Sequence, residues 1–94
     1  MKYYYEFSDE KNEILLHTRG VCFEDVIELL YEGKVLDTVS HPYITKYPNQ
    51  SMYIVEINNY CYLVPYVKNE NKIFLKTIIP NREASKKYLR SKNE

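Results

Sequence analysis

The sequence predicts an α+β fold with a mainly antiparallel sheet, and three observations carry that prediction. Aromatic and β-branched runs fill residues 52–57, 60–67 and 72–79, with turn residues between them. Phe23, Val26, Ile27 and Leu30 recur at i, i+3, i+4 and i+7, an apolar stripe at helical spacing. Helical patterns gather near the two ends of the chain instead of alternating with strands, which separates α+β from α/β.

Taken in order, Lys2–Phe7 reads as a strand, aromatic and free of turn residues. Ser8 suits a helix N-cap, with Asp9 and Glu10 matching the positive end of the dipole. That helix is expected to run to about His17 and to stop at Gly20, which adopts the left-handed conformation without strain. The second helix starts at Phe23, turns Glu24, Asp25, Glu28 and Glu32 to water, and ends at Gly33. Lys34–Val39 is a short strand, and residues 40–50 a loop with two prolines.

Met52–Ile57 and Tyr60–Val67 form a hairpin across Asn58-Asn59, because asparagine tolerates the positive φ of a two-residue turn. That register sets Glu56 opposite Cys61 and Val55 opposite Tyr62. After a turn at Lys68–Asn71, Lys72–Ile79 makes the next strand. Pro80-Asn81 breaks it and caps a last helix from Arg82 to about Arg90, with a fraying tail at Ser91–Glu94. The expected order is βααββββα: four to five strands, two N-terminal helices and one C-terminal helix.

The 94 residues fit one domain spanning 1–94. An apolar fraction of 45% with 28% charged residues excludes disordered and fibrous classes. Cys22 and Cys61 stand far apart, so neither a disulfide framework nor a zinc cluster is expected, and a reducing cytoplasm fits. No apolar run approaches the ~18–20 residues that cross a bilayer, and the first residues lack a signal-peptide core. No glycine-rich phosphate loop or nucleophile elbow is present, so no cofactor is expected.

The net charge is zero, but it is unevenly spread. Residues 1–37 carry four Lys/Arg against nine Asp/Glu, and residues 38–94 carry nine against four. A basic pole able to meet phosphate is therefore expected in the second part of the chain.

Several short patterns then fall in a telling order. Tyr5-Glu6-Phe7 closes the first strand, Asp9-Glu10-Lys11-Asn12-Glu13 opens the first helix, and Gly20-Val21-Cys22-Phe23-Glu24-Asp25 opens the second. Lys76-Thr77-Ile78-Ile79-Pro80-Asn81-Arg82 leads into a helix bearing Lys86, Lys87 and Tyr88. Over residues 5–90 this order resembles the BrnT family of bacterial toxins, within the RelE-like ribonuclease superfamily. Where members carry a basic residue and a histidine directly before the glycine, this chain has Thr18-Arg19-Gly20, with His17 close by. The resemblance implies a cytoplasmic toxin that cleaves RNA, ribosome-bound mRNA included, and blocks translation. It also implies a hetero-oligomer with a ribbon–helix–helix antitoxin that represses the shared operon.

Cleavage of RNA without a metal uses the 2′-hydroxyl as internal nucleophile, and needs proton-transfer groups and cations for the phosphate. The candidates of the required types are few. Arg82 lies where the last strand enters the last helix, with helix N-terminal amides beside it and a fork suited to phosphate. Lys76 interrupts an apolar strand and offers a second cation. His17 is the proton-transfer candidate and Arg19 an accessory cation. His41 lies in the long loop, and Lys86, Lys87 and Tyr88 lie on the last helix, as RNA-binding candidates. Each also has a plain structural alternative: a solvated lysine face, a helix-anchoring Tyr88, a surface histidine. For Tyr3, Tyr4, Tyr5, Tyr53, Tyr60, Tyr62 and Tyr66, core or sheet packing is expected, whereas Tyr43 and Tyr47 in the loop are freer to meet a partner. The alternatives to a ribonuclease are a non-catalytic protein of the same fold, acting as an antitoxin-binding co-repressor, and a stand-alone interaction module.

Overall fold

The computed structural model describes residues 3–40 and 50–89. His41, Tyr43 and Tyr47 in the expected loop, and the tail from Arg90 onward, lie outside the described residues. The described chain is α+β, with three helices and a mixed sheet of six strands. Its elements are β1 (Tyr4–Glu6), α1 (Asp9–Arg19), α2 (Phe23–Tyr31), β2 (Asp37–Ser40), β3 (Gln50–Ile57), β4 (Tyr60–Asn69), β5 (Lys72–Leu75), β6 (Ile79–Pro80) and α3 (Arg82–Leu89). The strands lie in the order β1-β5-β4-β3-β2, with β6 continuing the β5 side of β4.

Local chemistry explains the helices. Ser8 caps α1 by accepting from the Lys11 N–H at 3.2 Å, and Gly20, at φ +68°, stops it as expected, the helix running to Arg19. The start of α2 is capped from outside, because its own N-cap, Cys22, makes no side-chain cap bond. Asn12 on α1 accepts from the Phe23 N–H at 2.7 Å and donates to Glu24 at 2.7 Å, tying the two helices together. That donation holds the Glu24 carboxyl below its ordinary range.

The hairpin forms as its turn residues dictate. Asn58 and Asn59 take φ +53° and +68°, and Glu56 pairs with Cys61 and Val55 with Tyr62. Several strand boundaries differ from expectation: β1 is Tyr4–Glu6, β2 begins at Asp37 and takes in Ser40, β3 reaches back to Gln50, and β4 runs on to Asn69, through residues expected in the turn.

Two further differences reshape the sheet. β1 joins it by a parallel pairing with β5, Tyr5 facing Ile73, whereas the other four pairings are antiparallel. The expected strand 72–79 is also split. β4–β5 pairing stops at Tyr66↔Leu75 and resumes at Leu63↔Ile79 with β6. Two residues of β4, Val64 and Pro65, therefore face three, Lys76, Thr77 and Ile78: a β-bulge. Pro65 explains its position. The Lys76 N–H donates to the Pro65 carbonyl at 2.8 Å, but Pro65 has no N–H to return.

The two sheet faces carry separate cores. Helices α1 and α2 cover one, where Leu15, Phe23, Val26, Val55, Val64 and Leu75 are all but inaccessible. Phe7 stacks on Phe23 at 5.0 Å and Tyr53 on Tyr66 at 4.1 Å. Burial pushes the Tyr53 hydroxyl well above its usual range. Helix α3 covers the other face across Ile54 and Cys61 with Ala84, flanked by Val39, Leu63 and Tyr88.

Candidate nucleic-acid interface

The bulge decides where the cations of the second part of the chain go. In an unbroken strand, Ile73, Leu75, Thr77 and Ile79 share a face. The extra residue inverts the alternation after Leu75, so that Ile78 is fully buried and Ile79 is 38% exposed. It also turns the Ile78 carbonyl toward the end of α1, where Arg19 Nη1 donates to it at 2.6 Å. This bond clamps the last turn of α1, with His17 two residues before Arg19, against the ribbon from Lys76 to Arg82.

Arg82 follows the cap of α3. Asn81 accepts from the Ala84 N–H at 2.7 Å, and its own N–H donates to the Cys61 carbonyl at 3.0 Å. One helix amide expected to be open to phosphate is thus already satisfied, while the Arg82 side chain stands exposed. Arg82 makes no hydrogen bond or ion pair among the described residues, with its neighbour Glu83 or any other. Lys76 is exposed, with a long 3.5 Å contact from Nζ to Gln50 on β3. From Lys76 to Arg82 the chain spans at most about 20 Å. Lys76 and Arg82 therefore lie along one short ribbon on which Arg19 docks, whereas His17, two residues before Arg19, leaves α1 on the other side of the helix.

The remaining candidates on α3 are divided. Tyr88 is an anchor: its hydroxyl donates to Asp37 Oδ2 at 2.7 Å, fastening α3 across the sheet to β2. That bond pulls the Asp37 carboxyl down and pushes the Tyr88 hydroxyl up. Lys87 lies over the Tyr88 ring at 5.3 Å, and Lys86 is exposed. Both belong to the α3 face of the sheet, whereas α1 and α2 carry their acids on the opposite side. A groove of about 310 Å³ between α2 and the end of β3 is lined by Asp25, Glu28, Glu32 and Glu56, the wrong charge for phosphate.

Three features escaped the sequence. Arg19 has a structural task as well as a charge. Asn12 is the hinge pin of the two N-terminal helices. Tyr4, expected to pack, is 60% exposed, beside an exposed Phe74. Among the described residues, no group of three or more His, Cys, Asp or Glu is arranged to hold a metal ion, and no helix is long and apolar enough to cross a membrane.

The fold is an α+β domain with Lys76 and Arg82 on either side of a bulged sheet position on which Arg19 docks. Comparison with known proteins finds no matching family model, no matching curated protein and no matching solved structure.

Proposed function

We propose that the chain binds RNA along the ribbon Lys76–Arg82 and cleaves it, as the toxin member of a toxin–antitoxin pair. The observation that carries this reading is the Arg19–Ile78 bond, which docks Arg19 and the end of α1 on the ribbon bearing Lys76 and Arg82. Arg82 and Lys76 grip the phosphate, and Arg19, with one of its five N–H donors spent on Ile78, offers the rest to the same charge. For His17 to take or return the proton, its side chain must reach round α1 to the ribbon. The 2′-oxygen attacks the adjacent phosphorus, the bond to the 5′-oxygen breaks, and the products are a 2′,3′-cyclic phosphate and a 5′-hydroxyl. A basic ribbon of this size is small enough for an antitoxin segment to cover, which would silence the protein in the cytoplasm.

The test is the end chemistry of RNA exposed to the protein in the presence of a chelator. Cyclic phosphate ends that disappear with Arg82→Ala support the reading; intact RNA, or the same ends with Arg82→Ala, contradicts it.

One observation favours a second, non-catalytic reading. The His17 imidazole makes no hydrogen bond among the described residues, and a proton-transfer histidine is ordinarily held in one tautomer by such a bond. In that case the same ribbon is an antitoxin-binding surface. Tight antitoxin binding by protein that leaves RNA intact distinguishes it.

A further inference from the structure

The sheet has a second exposed surface, which shares only Lys76 with the ribbon. Helix α3 packs over β4, β3 and β2, and among the described residues no element covers the β1–β5 corner of that face. Register decides what points outward there. Tyr5 and Ile73 pair and face α1 and α2, so the alternate residues Tyr4, Glu6, Lys72 and Phe74 face the other way. Tyr4 pairs with Lys72 and Glu6 with Phe74, and Val67 flanks Phe74 from β4. Tyr4 is 60% and Phe74 41% exposed. Single exposed rings are ordinary. Two on adjacent strands, about 8 Å apart diagonally, with a lysine on either side of Phe74 in sequence, are a patterned surface.

We propose that Tyr4 and Phe74 form a stacking platform for the bases of a single-stranded RNA, with Lys72 and Lys76 meeting its phosphates. This rests on the RNA-binding reading above and extends its substrate to an unpaired strand, since a duplex hides the base faces that stacking requires. Charge selects the occupant: two lysines against one carboxylate, Glu6, favour a polyanion. Lys76 belongs to both surfaces, so a strand leaving the platform is delivered to the bulge and to Arg82.

The test is fluorescence anisotropy of the full chain with a labelled 12-nucleotide RNA blocked against cleavage by 2′-O-methyl groups, beside an abasic strand with the same number of phosphates. The base-bearing strand is expected to bind at least about tenfold tighter. Tyr4→Ala and Phe74→Ala should each weaken it about fivefold or more while leaving the abasic strand unchanged, and Tyr4→Phe should retain binding. Lys72→Ala should weaken both strands and reduce the salt slope by about 0.7. Unfolding midpoints establish that each variant is folded. Equal affinity for the two strands, or ring variants that bind like the parent, overturns the platform. So does light scattering that shows the ring variants splitting a dimer of this chain, because the rings then serve a second copy. If the parent leaves RNA intact but binds it through the two rings, the platform stands and cleavage falls. If it cleaves RNA and the ring variants bind normally, the reverse holds.

Discussion

Arg19 donates to the carbonyl of Ile78 at 2.6 Å, and that carbonyl is available because a bulge has turned it away from the sheet ladder. The end of α1 and the entry to α3 are far apart in sequence, and this bond joins them. A charge-assisted bond of this kind contributes about 1–2 kcal/mol. Arg19→Ala is expected to lower stability by about that amount in urea unfolding. Arg19→Lys should recover little of it, because a single ammonium does not reproduce the guanidinium fork.

The inverted alternation after Leu75 makes a sharp prediction about two adjacent isoleucines. Ile78→Ala empties a fully buried site and should cost about 2–5 kcal/mol. Ile79→Ala removes a side chain 38% exposed and should cost well under half as much. An unbroken strand 72–79 predicts the opposite ranking, so the paired unfolding curves decide the bulge.

The Tyr88–Asp37 bond links α3 to the β2 edge and makes it sensitive to acid. The folded-state pKa of Asp37 is depressed, first by the Tyr88 hydroxyl and then by the Thr38 N–H. The native state therefore holds fewer protons on Asp37 than the unfolded chain does. The stabilisation is fully present above the ordinary aspartate value of about 4 and is lost as pH falls through the depressed value. In an NMR titration, the Asp37 carboxyl should titrate below that ordinary value, and Tyr88→Phe should raise it. An unchanged titration would mean that α3 does not reach β2 in solution.

What the sequence revealed, and what it hid, follows from the range of the interactions. The hairpin was legible because Asn58-Asn59 states its own turn and the flanking alternation states its register. Helix α2 was legible because Phe23 and Val26 declare a buried stripe within one turn. The parallel pairing of β1 with β5 was not, because nothing in Tyr4-Tyr5-Glu6 names a partner some 68 residues away. The same run of tyrosines hid which rings face inward. The bulge was hidden because its cause, Pro65, lies on the neighbouring strand. Of the candidate site, Arg82 at the strand-to-helix junction was readable from its neighbours Pro80 and Asn81. The docking of Arg19 on the ribbon that leads to Arg82 depended on the bulge.

Induced expression in bacteria tests whether Lys76, Arg82 and Arg19 at the bulged ribbon act on RNA. Growth and RNA integrity are followed for the parent chain and for Arg82→Ala, with the soluble, folded level of each protein measured in parallel. Growth arrest with fragmented RNA is expected for the parent, relieved by Arg82→Ala at equal protein level. Normal growth with intact RNA from abundant folded parent protein would contradict it.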